Sequence, residues 1–414
     1  MKSNSTPVGG DARILRKFLR YVADTSRFCP GLLSTAPNYV NGELAEYSLL
    51  WPVLLDYYYR WTADREFVLE MMPVLQGLLD YYARYENADG LLQDVFSHAT
   101  GRYSVLVDRP KNLRDGYDDP YLMGDRTVQE APAGVVNTMV QGFYACALDA
   151  ASRLAEIADG SSIREHVCGR RERLAAALLK TLRNPDTGLS VDHNGSLHSS
   201  LHANVTPLMA GMLSGDDKEM AVDLIRRKRL SCGVYFSCFV LKALYGAGEV
   251  DLPYDLMTGT DLHSWYSMLA AGATTCMEAW APDLKWNTSW CHPCSSAPVH
   301  MVAHELMGLR PKVPGWKEVL FAPRPPSALA SASIKLTIPP GEVRAGYERN
   351  GNTITYTLSV PENCPVTCEF DASLTTVTVD GVEATCSVAT DAQGGAQSVI
   401  VALTRGGDHR IVTE

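Results

Sequence analysis

No stretch of this chain approaches the roughly 18 uninterrupted apolar residues that a membrane-spanning helix needs. Met1 to Asp11 is polar and contains glycine, without the apolar stretch of a secretory signal, so the expected location is the cytoplasm. Positive charge is in deficit: 37 Lys and Arg against 47 Asp and Glu give a formal net charge of -10. An acidic surface repels nucleic acid and anionic lipid, which excludes both as expected partners and favours a neutral or cationic one. A disulfide framework is also lacking. The eleven cysteines are odd in number and scattered, which points to free thiols in a reducing compartment. Cys291 and Cys294 form a C-x-x-C around His292, but no further ligands follow at zinc spacing and no βαβ pattern surrounds it. No D-x-D-x-D-G calcium loop occurs. No metal and no cofactor is expected.

What is present is helical periodicity. With 46% hydrophobic and 20% charged residues over 414 positions, the chain can bury a large core in two or three domains. Apolar residues recur at helical spacing over Ile14 to Val22, Leu44 to Trp61, Phe67 to Tyr85, Val135 to Ile157 and Ile163 to Leu182. Further helices are expected over Ala203 to Leu213, Met220 to Lys228, Val234 to Tyr245, Leu262 to Ala271 and Ala297 to Leu309. Asn87-Ala88-Asp89-Gly90 and Asn184-Pro185-Asp186-Thr187-Gly188 stop two of them, because Gly and Asn tolerate the left-handed region and Pro cannot continue the ladder. No strand is expected among these helices. After Pro311 the period becomes two, in Ile334 to Ile338, Thr353 to Val360 and Thr375 to Val379, with turns at Pro339-Pro340-Gly341, Asn350-Gly351 and Asp380-Gly381.

The expected fold is therefore mainly α: an (α/α)6-type helical toroid over 1–310, followed by an antiparallel β-sandwich over 311–414. Ten helices are counted where a closed ring of six hairpins needs twelve, so the ring is expected to be incomplete.

The densest chemical signal runs from Gly272 through Thr274-Thr275-Cys276-Met277-Glu278-Ala279-Trp280, then Lys285-Trp286-Asn287-Thr288-Ser289 and Cys291-His292-Pro293. Sugars are held by stacking on aromatic faces and by hydrogen bonds to hydroxyls, so one carboxylate among Trp, Asn, Ser, Thr and His suits a sugar pocket. The plainer alternative makes Trp280, Trp286 and Trp290 core residues and Glu278 a surface carboxylate.

These strings resemble the late catalytic motif of the bacterial α-L-rhamnosidases, glycoside hydrolase family 78. The resemblance extends through Pro30-Gly31-Leu32, Glu43 to Leu49, Asn112 to Asp118 and Pro314-Gly315-Trp316-Lys317, so it covers most of the chain. It implies release of terminal α-L-rhamnose by inversion, with Glu278 as general base. It also implies a sugar site drawn from Trp280, Trp286, His292, Asp108, Asp115 and His202, and a rhamnose-containing oligosaccharide or glycoside as partner.

Inversion takes two carboxyl groups, roughly 6.5 to 9.5 Å apart, one protonating the leaving oxygen while the other activates water. The family's acid lies in a segment close to Asp-Cys-Pro-x-Arg-Glu, and no such string occurs here. Gly10-Asp11-Ala12-Arg13 resembles the Gly-Asp that follows it, so the chain is expected to start downstream of the acid. Loss of general acid catalysis costs about 10² to 10⁴ in rate. Candidate substitutes are Asp108, Asp115, Asp118, Glu43 and Glu46. Two departures remove stacking faces: Arg109 stands where relatives tend to have Trp, and Cys294 where an aromatic residue is common. The rival expectations are a non-hydrolytic sugar-binding fragment of the same fold and a different α-toroid glycosidase. Arg114, Asp115 and Asp118 suit either sugar orientation or a loop salt bridge, and His202 either the cleft or a buried cap.

Overall fold

The computed structural model describes residues 11–27, 31–34, 44–97, 102–103, 105, 107–108, 111–117, 133–390 and 396–414. Within these there are eleven α-helices. They are α1 (Arg13–Asp24), α2 (Ala45–Thr62), α3 (Arg65–Ala83), α4 (Thr138–Ile157), α5 (Ser161–Thr181), α6 (Leu201–Met209), α7 (Gly215–Lys228), α8 (Val234–Ala247), α9 (Asp251–Thr258), α10 (Trp265–Ala270) and α11 (Ala297–Met301). No helix among the described residues is long and apolar enough to cross a membrane.

Burial sorts the helices into inner and outer members. Helices α4, α6 and α8 are apolar nearly all round and bury most of their residues, as a helix must when other elements enclose it. Their partners α5 and α7 carry charge on one face, and α7 buries only Ala221, Val222, Leu224 and Ile225. The inner helices pack in succession, α4 on α6 and α6 on α8. Gly142 makes the first contact possible, because a Cβ there would stand 2.5 Å from the backbone of Thr206. Caps fix where these helices begin: the Asn137 side chain accepts from the Val140 amide, and the Ser200 hydroxyl accepts from Ala203. The starts of the three inner helices lie together: Asp108 bonds both His202 of α6 and the Gly233 amide before α8, and Tyr117 bonds Asn137 before α4 and the carbonyl of Asp192, whose side chain holds the Ser200 amide before α6.

Three local expectations are corrected. Helix α9 was not foreseen: it has only eight residues and holds Pro253, which is tolerated in a first turn where the amide needs no helical partner. A two-stranded ladder, β1 (Phe96–Ser97) with β2 (Arg102–Tyr103), lies within the helical region, with Phe96 opposite Tyr103. The last expected helix stops early, at Met301, passes through a π-helical turn over Val302–Leu306, and gives way to a strand from Leu309.

The C-terminal region is a sandwich of two sheets. One has strand order β10-β9-β13-β7-β6-β5 and the other β11-β12-β8-β4-β3. The strands are β3 (Leu309–Val313), β4 (Glu318–Phe321), β5 (Ser331–Ile338), β6 (Gly341–Asn350), β7 (Thr353–Val360), β8 (Val366–Asp371), β9 (Val377–Val379), β10 (Val382–Glu383), β11 (Ser387–Thr390), β12 (Ala396–Leu403) and β13 (Gly407–Thr413). Every pairing is antiparallel except β4 with β8, which is parallel. Alternation sends Leu336, Val343, Tyr347, Tyr356, Leu358 and Ile411 inward from the larger sheet. Phe321 and Phe370 of the smaller sheet meet Tyr356 at 5.8 and 5.3 Å between ring centres.

Contacts divide the chain into two compact units. One holds Ser296–Glu414 with Tyr58–Asp64 and residues 11–15; the other holds Arg16–Tyr57 and Arg65–Ser295. In the first, Trp61 packs edge-on against Trp316 at 5.0 Å. All the candidate site residues below belong to the second.

Candidate active site

Glu278 lies in an irregular two-stranded arrangement. Its amide donates to the Ser289 carbonyl at 2.9 Å, and the His292 amide donates to the Cys276 carbonyl at 2.8 Å. The Thr275 hydroxyl adds a bond to the Trp290 carbonyl. These bonds bring the two halves of the motif together and fix the Glu278 backbone.

Its side chain is held as well. Oε2 accepts from Lys285 Nζ at 2.9 Å and from the Ser289 amide at 3.2 Å. Lys285 in turn donates to Asn287 Oδ1 at 2.6 Å. Burial pushes the Glu278 carboxyl up, but the Lys285 hydrogen bond, the Ser289 amide and the charges of Lys285 and His292 outweigh it and leave the group below its ordinary value. The carboxylate is 28% exposed, so it is an ionised acceptor reachable from solvent.

The aromatic residues of the motif divide. Trp286 is 94% exposed and offers a free face. Trp280 is fully buried: its indole N–H donates to the Cys232 carbonyl at 2.6 Å and its ring meets Trp265 edge-on at 5.1 Å. The expected sugar contact at Trp280 is therefore corrected to a wall of the core that carries Glu278. His292 is half-buried beside Glu278, and Trp290 is 47% exposed.

Asp108 and His202 are likewise interior. His202 Nε2 donates to Asp108 Oδ2 at 3.0 Å, and the same oxygen accepts from the Gly233 amide at 2.6 Å. A carboxylate can only accept, so Nε2 carries the proton. Arg114, buried, donates to the Asp108 carbonyl at 2.5 Å. Asp115, at φ 50°, accepts from the Leu201 amide at 2.7 Å and from Lys228 Nζ at 2.6 Å. Asp108 and His202, both buried, are thereby corrected from direct sugar contacts to braces, and with half-buried Asp115 they tie the segment before α4 to the starts of α6 and α8. Glu43, Arg109 and Asp118 lie outside the described residues.

The structure adds residues that spacing did not single out. Tyr47, in the first turn of α2, stacks on Tyr235 of α8 at 5.3 Å and 5°. Burial raises both phenols well above their ordinary value, so both remain proton donors; Cys294 and Glu46 lie close enough to act on each. Glu46 is itself buried. Contact between the starts of two helices far apart in sequence leaves no periodic signal. Lys285 stood within the motif, but only the fold turns its ammonium onto Glu278.

A family model described as the bacterial alpha-L-rhamnosidase 6 hairpin glycosidase domain matches residues 8–306, and one described as the bacterial alpha-L-rhamnosidase C-terminal domain matches 308–376. Among curated relatives, an alpha-L-rhamnosidase of Formosa agariphila is 21% identical over 81% of this chain and 33% of its own length. One of Streptomyces avermitilis is 24% identical over 74% of this chain and 27% of its own length. The chain thus spans about a third or less of these relatives. The crystal structure of a Streptomyces avermitilis alpha-L-rhamnosidase complexed with L-rhamnose superposes with a TM-score of 0.74 at 20% identity, covering 100% of this chain and 37% of that one. A GH78 family rhamnosidase of Bacillus sp. GL1 gives 0.74 at 20% identity, covering 92% and 38%.

Proposed function

The chain belongs to the bacterial α-L-rhamnosidase family of six-hairpin glycosidases, and we propose that it carries the helical and C-terminal sandwich parts of a hydrolase that releases terminal α-L-rhamnose with inversion. Glu278 is the general base. The observation that carries this reading is the Glu278 carboxylate itself, kept ionised by Lys285 and the Ser289 amide while still reachable from solvent. An ionised carboxylate takes a proton from water as that water attacks the anomeric carbon from the face opposite the leaving group. His292 beside it and the open face of Trp286 bind the sugar, by hydrogen bonding and stacking. Trp280, Asp108, Asp115 and His202 shape the site from behind.

The glycosidase domain is assigned to 1–310 and the sandwich to 311–414, with a cytoplasmic role in carbohydrate metabolism on glycosides taken into the cell. The test of substrate class is hydrolysis of a panel of 4-nitrophenyl glycosides by the purified chain. An activated phenol leaves with little acid assistance, so the panel reports on base and pocket. Release from the α-L-rhamnoside above all others is expected. A preference for another glycoside, or none on any, overturns the assignment.

A further inference from the structure

The loop end that carries Glu278 also carries an imidazole that the reading above does not use. His198 lies three residues before α6, one of the inner helices whose starts gather at that end. Its Nδ1 is 2.6 Å from Oδ2 of Asp192, which is fully buried, while His198 itself is 39% exposed. Asp192 is held on every side. Its other oxygen accepts from the Ser200 amide at 3.0 Å, and its carbonyl accepts from the Tyr117 hydroxyl at 2.6 Å and the Thr138 amide at 3.0 Å. The carboxylate can only accept, so Nδ1 carries the proton and the imidazole is fixed in tautomer and orientation. Among the described residues no hydrogen bond is made by Nε2. That edge of the ring runs past Gly116, where a Cβ would stand 3.7 Å from both Cε1 and Nε2.

A half-exposed imidazole locked by a buried carboxylate is more than a loop tie needs, because the Asp192 amide already donates to the His198 carbonyl at 3.0 Å and closes the loop. Tyr117 and the Asp115 brace join this loop to the network that reaches Gly233 and, through Cys232, Trp280 beside Glu278. We propose that His198, positioned by Asp192, binds a hydroxyl of the sugar to which rhamnose is attached, at the rim of the cleft and beyond the rhamnose itself. The inference rests on the rhamnosidase reading of the Glu278 site and names the substrate class: a rhamnosyl saccharide in preference to a rhamnoside whose leaving group bears no hydroxyls.

The experiment is ¹H–¹⁵N imidazole NMR of the whole chain, with the His198 and His292 signals identified by their loss in His198→Gln and His292→Gln. Two probes are titrated, L-rhamnose and a sulfur-linked α-L-rhamnosyl-glucose that resists hydrolysis. The disaccharide is expected to shift both rings and L-rhamnose to shift His292 alone. If both probes move His292 and neither moves His198, the inference falls and the rhamnosidase reading stands. If L-rhamnose moves His198 as far as the disaccharide does, His198 belongs to the rhamnose subsite and the inference is overturned. If neither ring responds to either probe, both fall together.

Discussion

Lys285 Nζ stands 2.9 Å from Glu278 Oε2, seven residues away along the chain, and favours the ionised form of the carboxylate. Burial alone would raise the Glu278 pKa; Lys285 leads the interactions that bring it below the ordinary value. A base works when deprotonated, so its activity is present above that pKa and lost as pH falls through it. Lys285→Met is expected to move the acid limb of kcat/KM for 4-nitrophenyl α-L-rhamnoside to higher pH. A limb that stays in place would remove Lys285 from the account.

Trp280 and Trp286 make opposite predictions from the same short motif. Trp280→Ala empties a buried site and leaves the Cys232 carbonyl unpaired, a loss of about 3–5 kcal/mol in denaturant unfolding. Trp286→Ala, at a fully open position, is expected to change stability by about 0.5 kcal/mol or less while raising KM. Equal effects of the two on stability would contradict the placement.

Nothing in the residue pattern separates those two rings. Both are Trp within nine residues of Glu278, and only the hydrogen bond from Trp280 to Cys232, 48 residues away, shows which one faces the core. What could be read was local and repetitive: the paired helices and the period-two strands after Pro311. What could not be read depended on distant partners. The Tyr47–Tyr235 stack, the parallel register of β4 on β8, and the conversion of Asp108 and His202 from site residues into braces are all of this kind. Pro253 hid a short helix because a proline in its first turn resembles a helix breaker until its position is known.

The Asp108–His202 pair is buried on both sides. Removing one partner of a buried, hydrogen-bonded pair strands the other, so Asp108→Ala is expected to cost about 3–5 kcal/mol in urea unfolding. Asp108→Asn keeps an accepting oxygen and costs less. An Asp108→Ala chain as stable as the parent would rule out the bracing role.

Gly142 is a test of the helix ring. Alanine raises helix propensity by up to about 1 kcal/mol, yet a Cβ here meets the Thr206 backbone, and such overpacking costs about 1–3 kcal/mol. Gly142→Ala is expected to lower the melting temperature. A rise would show that α4 and α6 do not approach as described.

The role of Glu278 as base is read from the rate of 4-nitrophenyl α-L-rhamnoside hydrolysis in the parent chain and in Glu278→Gln. Glutamine preserves the size of the side chain and cannot take the proton, so turnover by the parent and a fall of about 10² to 10⁴ in the variant are expected, with the fold retained by circular dichroism. Turnover that survives the substitution would mean that a group other than Glu278 takes the proton.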